Sequence, residues 1–275
     1  GLGDVYKRQM YDSFNREITY LRISVTDRCN LACRYCMPER MPGPAGGEGI
    51  LDFDEIARVV RTLAPLGISK IRLTGGEPLV RKDVDKLVRM ISGIDGIREI
   101  TMTTNGHLLS AMATRLARAG LHRVNVSLDT LDPDRYHQIT RGGDIRRVRK
   151  GIEAALGAGL DPVKINCVLM PETTPGEIRD LKEFGLSLGI EVRFIRQMHL
   201  GAGKFWKVEG GEGGQCSICN RIRLTADGRF IPCLFSNKEY SIRDYGILEA
   251  FNMTIQHKPR RGLVNSRNTF YGIGG

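Results

Sequence analysis

The chain has 275 residues, of which 41% are hydrophobic, 7% aromatic and 26% charged, and its formal net charge is +10. This length suits one large α/β domain, or a domain with an extension, and is ample for a buried core. Its longest apolar runs are far too short to cross a bilayer, so we predict no membrane association and a cytoplasmic location.

The basic excess does not take the form that is typical of nucleic-acid binding. Lys and Arg are spread along the chain, with no long basic block and no interleaved stacking aromatics. We therefore predict no nucleic-acid partner. Local Arg and Lys side chains suit a small polyanionic substrate equally well.

The first nine residues are excluded from the fold prediction. They contain GDVYKRQ, which matches the translation of a transposon-end adapter used in sequencing libraries, and they precede Met10. We therefore interpret residues 1–9 as adapter-derived.

From Ile18 onward, short β-branched runs alternate with amphipathic segments. The predicted strands are ITYLRISV, KIRLT, EITMTT, RVNVSL, VKINCVLM and EVRFIRQM. The predicted helices are FDEIARVVRTLAPLG, VDKLVRMISGI, LLSAMATRLARAG, RRVRKGIEAALGAG and EIRDLKEFGLSLG. Six such units in succession predict a parallel sheet with helices outside it.

Polar clusters at the predicted strand ends favour one form of parallel sheet. TDRC, TGGEP, TTNG, SLD and RQM each follow a different strand. Periodicity alone allows an open doubly wound sheet or a partial barrel, but loops converging from many strand ends are typical of a barrel. We therefore predict an α/β fold with a partial (β/α)6 TIM-type barrel over residues 10–200, a Gly-rich linker over 201–215 and a C-terminal region over 216–275.

Six of the seven cysteines form two sets of three. The first set has C-x3-C-x2-C spacing, the second has C-x2-C-x13-C, and the six are Cys29, Cys33, Cys36, Cys216, Cys219 and Cys233. A structural zinc site takes four protein ligands, and no further Cys or His lies near the first set in sequence. Three thiolates on an iron–sulfur cluster leave one iron open, so we predict metal ligands in both sets. Cys167, within an apolar run, is predicted to be a core residue.

The first cysteine set, together with TGGEP, resembles the signature of radical S-adenosylmethionine (SAM) enzymes. The resemblance implies a 4Fe–4S cluster whose open iron binds the amine and carboxylate of SAM, and whose electron cleaves the sulfonium to a 5′-deoxyadenosyl radical. The glycines of TGGEP are expected to let the backbone approach the ligand closely. By the same resemblance, the residues that bind SAM are Tyr35, Gly75, Gly76, Glu77, Ser127 and Met198.

Longer stretches resemble one family within these enzymes. YLRISVTDRCNLACRYCMPE, RVNVSLDTLDPDRYHQITRG, CNRIRLTADGRFIPCLF and the terminal IGG are similar to GTP 3′,8-cyclases of molybdenum cofactor biosynthesis, over roughly residues 12–275. This implies a second 4Fe–4S cluster, with GTP at its open iron. The implied reaction abstracts hydrogen from the ribose 3′ carbon, joins that carbon to carbon 8 of guanine and reduces the product radical.

The same resemblance assigns further site residues and partners. The residues implied to bind GTP are Arg22, Arg72, Thr103, Lys164, Arg221, Ile222 and Arg223. Those implied to act in catalysis are Arg221, Arg223, Gly274 and Gly275. The implied partners are a flavodoxin-like or ferredoxin-like reductant, the downstream cyclic pyranopterin monophosphate synthase and, as a possibility, a second copy in a homodimer.

The chain departs from the family pattern before the second cysteine set. Between FIRQM and CSICN it is several dozen residues shorter, and HLGAGKFWKVEGGEGGQ takes the place of packed elements. These residues can span roughly 55–60 Å, but a Gly-rich tether positions a site loosely, so we expect SAM cleavage with weak conversion of GTP. Two alternatives stay open: another radical enzyme with an auxiliary cluster, for example one modifying a peptide, and an inactive metal- or nucleotide-binding remnant.

Overall fold

The computed structural model describes residues 10–37, 49–267 and 269–273, so residues 1–9 lie outside the described part. A nine-stranded sheet organises these residues. Its strands are β1 (Tyr20–Ser24), β2 (Lys70–Thr74), β3 (Glu99–Thr104), β4 (Arg123–Ser127), β5 (Lys164–Leu169), β6 (Glu191–Arg196), β7 (Arg221–Leu224), β8 (Arg229–Ile231) and β9 (Tyr240–Ser241).

The strand order is β6-β5-β4-β3-β2-β1-β7-β8-β9. Strands β1 to β6 are parallel and follow one another in chain order, which confirms the predicted α/β partial barrel. Strand β7 joins the other edge of β1, also parallel, and β8 and β9 follow antiparallel. The C-terminal region therefore extends the barrel sheet itself.

Helices connect the parallel strands and cover one face of the sheet. The α-helices span Phe53–Leu63, Val84–Ser92, Leu109–Arg118, Pro133–Thr140, Ile145–Gly157, Pro175–Ser187, Ile242–Tyr245, Ile247–Gln256 and Phe270–Ile273. Side-chain hydrogen bonds at the N-terminus help to fix where a helix begins, as at Phe53–Leu63. Asp52 accepts a hydrogen bond from the Glu55 backbone while the Glu55 carboxylate accepts one from that of Asp52, which satisfies two amides that no helical carbonyl can reach.

Alternation along the strands gives the sheet two different faces. In β1, Leu21 and Ile23 are fully buried in the hydrophobic core beneath the helices. Arg22, between them, points to the opposite face, because successive side chains of a strand alternate. Ile71 and Leu73 of β2 repeat the pattern. The outer face therefore stabilises the fold, and the inner face is free to carry polar side chains.

The predicted linker packs against the barrel. Glu209 and Phe194 of β6 exchange two backbone hydrogen bonds of 3.1 and 3.3 Å, and Val208 donates to the Gly213 carbonyl at 2.8 Å. A Cβ at Gly214, where φ is +76°, would lie 2.1 Å from the Trp206 carbonyl, so this tight turn requires glycine. These contacts hold the segment more firmly than its glycine content predicts.

No helix in the described part of the chain is both long enough and apolar enough to cross a membrane.

Candidate active site

Both predicted cysteine sets open onto one cavity of about 710 Å³, at the carboxyl ends of the parallel strands. The cysteines that line it are Cys29, Cys33, Cys36, Cys216, Cys219 and Cys233. Residues far apart in the sequence thus face a common space. Cys167 lies elsewhere, fully buried in the hydrophobic core as predicted.

The first cysteine loop forms a single turn anchored to a neighbouring helix. Cys36 donates its backbone N–H to the Cys33 carbonyl at 2.9 Å, and Arg34 donates to Ile139 at the end of Pro133–Thr140. Burial raises the pKa of Cys36 to about 12, and the negative charge of a Cys29 thiolate would add to this effect. Burial also raises the pKa of Cys33. Without a metal these thiols therefore hold their protons, and metal binding releases them.

The glycines after β2 lie against the cysteine loop. Gly76 donates to the Thr26 carbonyl at 2.8 Å. A Cβ at Gly75 would lie 2.5 Å from the Thr26 carbonyl oxygen, and one at Gly76 2.4 Å from that of Arg28. The sequence led us to expect a close approach to the ligand. Both glycines do line the cavity, but their tightest approach is to this loop, which they hold against the sheet.

Glu77 joins the ends of β2 and β3. Its carboxylate accepts hydrogen bonds from the Thr104 hydroxyl at 2.7 Å, the Asn105 N–H at 2.6 Å and the Leu79 N–H at 3.1 Å. Burial raises the pKa of Glu77 to about 7 despite these bonds, since the side chain is only 1% exposed. Glu77 therefore fixes two strand ends beside the first cysteine set, and it also lines the cavity.

Tyr35 is held by a buried carboxylate that the sequence reasoning did not single out. Its hydroxyl donates to Asp129 at 2.9 Å, and the second oxygen of Asp129 accepts from the Val168 N–H at 2.8 Å. Burial raises the pKa of Asp129 to about 6. The polar SLD cluster after β4 was the available signal. Ser127 and Met198, the other predicted SAM-binding residues, line the cavity at the ends of β4 and β6.

A row of arginines crosses the inner face of three adjacent strands. Strand register places Arg22 of β1 directly between Arg72 of β2 and Arg223 of β7. Arg72 donates to the Thr103 hydroxyl at 3.2 Å. Burial lowers the pKa of Arg22 well below its usual value, and the neighbouring Arg223 adds to this effect. Like charges held this close are unfavourable until an anion binds between them.

The wider lining of the cavity has the same sign. Among the described residues, nine Lys and Arg side chains line it, against the two carboxylate residues Glu77 and Glu212. Lys70, one of these nine, lies two register positions from the arginine row, beside Tyr20, and sequence reasoning missed it. A concave site with this excess of cations favours a multiply charged anion.

Two predicted GTP-binding side chains lie away from the cavity. Lys164 forms an ion pair with Glu191 and is absent from the described lining residues. Ile222 is fully buried in the hydrophobic core, on the opposite face of β7. Thr103 and Arg221 do line the cavity.

The predicted terminal glycines, Gly274 and Gly275, lie outside the described residues. The described chain leads toward the site, however, because Phe270 lines the cavity and the Ile273 carbonyl accepts a hydrogen bond from Arg223 at 3.4 Å.

The second cysteine set begins in a short 3₁₀ turn, Cys216–Ile218. The Sγ of Cys219 accepts a hydrogen bond from Lys258 at 3.5 Å. Burial alone would raise the pKa of Cys219, but the charges of Lys258 and Arg221 outweigh it and lower the pKa to about 7. The second set therefore lies in a more electropositive environment than the first.

Arg16 links the second cysteine set, through hydrogen bonds and an ion pair, to residues near both ends of the described chain. It donates to the carbonyls of Cys216 at 2.6 Å and Pro259 at 2.7 Å, and its Nε pairs with Asp12 at 2.6 Å. The side chain is 6% exposed, so these bonds are protected from water. No sequence pattern pointed to Arg16, since its two carbonyl partners at the second cysteine set and near the C-terminal end lie 200 and 243 residues away along the chain.

The donor sets fit iron–sulfur clusters. Among the described residues, no three His, Cys, Asp or Glu side chains lie close enough to hold a single metal ion. A 4Fe–4S cluster binds each cysteine at a separate iron, so its ligands are spread apart. Both sets supply three thiols facing open space in a shared cavity, which suits such a group.

Residues 23–185 match the Radical SAM superfamily. GTP 3′,8-cyclase of Clostridium botulinum is 39% identical over 97% of this chain and 100% of its own length. This chain belongs to the radical SAM superfamily and, within it, to the GTP 3′,8-cyclase family. It is therefore an enzyme, and the superfamily implies one 4Fe–4S cluster and SAM. The match to the Clostridium relative spans 319 positions, so that relative has positions without a counterpart in this chain of 275 residues.

Further relatives support the assignment of this chain to the GTP 3′,8-cyclase family. GTP 3′,8-cyclases of Moorella thermoacetica and Alkaliphilus metalliredigens are 44% and 42% identical, each over 85% of this chain and 86% of the relative. The crystal structure of Streptococcus suis SuiB bound to S-adenosylmethionine has a TM-score of 0.66 at 16% identity, covering 93% of this chain and 67% of that one. The structure of native anSMEcpe with bound AdoMet has a TM-score of 0.64 at 14% identity, covering 88% of this chain and 81% of that one. These two likenesses concern the fold.

Proposed function

We propose that this radical SAM enzyme converts GTP to 3′,8-cyclo-7,8-dihydro-GTP, the first step of molybdenum cofactor biosynthesis, with two 4Fe–4S clusters. The observation that carries the proposal is the shared cavity, which is lined by two three-cysteine sets and by a row of arginines from β7, β1 and β2. A nucleoside triphosphate matches that row in charge. The names of the relatives favour this reaction over modification of a peptide.

Each set of residues then has a distinct task. Cys29, Cys33 and Cys36 hold the first cluster, which with SAM supplies the adenosyl radical, and Tyr35, Gly75, Gly76, Glu77, Ser127 and Met198 surround SAM. Cys216, Cys219 and Cys233 hold the second cluster. All of these residues line the cavity. Held together there, substrate and radical source need no diffusion to meet, which lowers the entropic part of the barrier.

The arginines bind and orient the substrate. Guanidinium groups bind phosphate oxygens through two parallel hydrogen bonds, so Arg22, Arg72 and Arg223 can fix a triphosphate in one position. The aromatic lining residues Phe205 and Phe270 exclude water from the reacting atoms. In this proposal Gly274 and Gly275, which lie outside the described residues, act in catalysis.

The proposal extends to partners and location. A flavodoxin-like or ferredoxin-like protein supplies electrons, and cyclic pyranopterin monophosphate synthase consumes the product, with a homodimer as the possible assembly. None of the seven cysteines, all of which the structure describes, forms a disulfide, which suits the reducing cytoplasm.

Product formation tests the reaction directly. We expect anaerobically reconstituted enzyme, incubated with SAM, GTP and dithionite, to yield both 5′-deoxyadenosine and cyclised GTP. The ratio of the two products also measures how well the linker places the second site. A ratio well below one is the result that its glycine content predicts, whereas 5′-deoxyadenosine without any cyclised GTP would contradict the proposed function.

Iron content tests the two-cluster assignment. We expect about eight irons and about eight sulfides per reconstituted chain, because each proposed cluster holds four of each. Changing Cys216, Cys219 and Cys233 to Ser should reduce both to about half. Stoichiometric zinc, or an iron content that stays the same in this triple variant, would overturn the assignment of the second set.

A further inference from the structure

Lys258 is a buried cation at the second cysteine set that neither the sequence patterns nor the family resemblance singled out. It follows the helix Ile247–Gln256 and is 3% exposed. Its ammonium group reaches the cavity wall, where it lies against Cys219. Lysine is almost never this deeply buried without a specific partner.

The ammonium group bridges two separate segments that carry cysteines. It donates to the carbonyl of Arg221 at 2.6 Å and to the carbonyl of Pro232 at 2.9 Å. Arg221 follows Cys219 by two residues, and Pro232 directly precedes Cys233. Its third hydrogen bond goes to the Sγ of Cys219 at 3.5 Å. All three N–H donors of the ammonium group are therefore used at this one site.

The charge of Lys258 has no carboxylate partner among the described residues, whose ion pairs do not include it. Its two carbonyl partners contribute dipoles but no net charge. A buried cation is unfavourable unless an opposite charge lies close by. The nearest group able to carry negative charge is the Cys219 sulfur, and a bound cluster requires that sulfur as thiolate.

We propose that Lys258 is a positioning residue of the second iron–sulfur site, where it fixes the two cysteine segments and balances the charge of the liganding thiolates. This inference rests on the proposed second cluster. The site then depends on a residue besides its three cysteines, because the ammonium group hydrogen-bonds to both segments that carry them, next to the β7–β8 ladder.

The test isolates the second cluster in a chain with Cys29, Cys33 and Cys36 changed to Ser. We expect this parent to hold about four irons after anaerobic reconstitution. In Lys258→Met, a neutral side chain of similar length, we expect iron release to bathophenanthroline to be about tenfold faster, as suits the loss of a charged hydrogen bond. The reduction potential of the cluster should also become more negative, since a nearby cation favours the reduced, more negative form.

Two variants show whether the charge itself matters. Lys258→Arg keeps it and should restore most of the slow release, and Lys238→Met, at an exposed lysine, should match the parent. A third chain carries Lys258→Met with Cys216, Cys219 and Cys233 changed to Ser. Its first cluster should lose iron at the unaltered rate, which separates a local effect from a general loosening of the fold.

The outcomes distinguish the two proposals. Equal release rates in Lys258→Met and its parent, or equally accelerated loss of the first cluster, would overturn the role of Lys258 and leave the proposed function standing. A parent without iron would overturn the proposed second cluster, and the inference about Lys258 with it.

Discussion

Cys33→Ser should abolish the formation of 5′-deoxyadenosine. Cys33 lies between Cys29 and Cys36 in the anchored turn after β1, and all three line the cavity. With a hydroxyl in its place, two thiolates remain for the first cluster, and serine at its ordinary pKa is a poor ligand for iron. The measurement is chromatographic detection of 5′-deoxyadenosine from SAM under dithionite, and we expect a decrease to the level without enzyme.

Cys167→Ser provides the matched control. Its thiol is fully buried in β5 and does not belong to the described lining of the cavity. The variant also loses one thiol, but it should cleave SAM at a rate close to that of the unaltered enzyme. Cleavage that persists in Cys33→Ser would show that the open iron has been assigned to the wrong cysteine set.

Arg223→Ala should weaken GTP binding by ten- to a hundredfold. Arg223 is 7% exposed and aligned with Arg22, so its guanidinium is already free of most bulk water when an anion arrives. A charge-assisted hydrogen bond in such a place contributes roughly 1.5–3 kcal/mol, which corresponds to that range of affinity. Equilibrium binding of GTP to reconstituted enzyme, in the presence of SAM, measures the change.

Arg118→Ala serves as the control for this substitution. Arg118 is exposed near the end of Leu109–Arg118, so its loss removes the same charge without touching the cavity. Its GTP affinity should equal that of the unaltered enzyme. If Arg223→Ala also binds GTP with unchanged affinity, the arginine row is not the triphosphate site.

Local sequence signals predicted the barrel well. Each of the six predicted strands contains an observed parallel strand, because alternating β-branched runs between Gly-terminated helices leave few other arrangements. The short spacing of the first cysteine set likewise keeps its three thiols on one loop after β1, where all three line the cavity. These features depend on neighbours within a few residues, which the sequence displays directly.

Features that depend on distant partners were missed. Nothing local in RIRL indicates that β7 pairs with β1, or that Arg16 reaches the Cys216 carbonyl. Lys258 and Asp129 were missed for the same reason, since each acts through contacts across the fold. Lys164 shows the opposite limit. The resemblance implied that it binds GTP, but its ammonium group forms an ion pair with Glu191 of the adjacent strand.

The position of β1 within the sheet matters while the chain is being synthesised. Strand β1 lies between β2 and β7, and Tyr20 pairs with Arg221. While the ribosome is still making the middle of the chain, β1 therefore has one edge with unpaired amides and carbonyls. Such an edge is a template for pairing with other chains. Nascent barrels depend on the late arrival of β7 for protection against aggregation, as well as for the second half of the site.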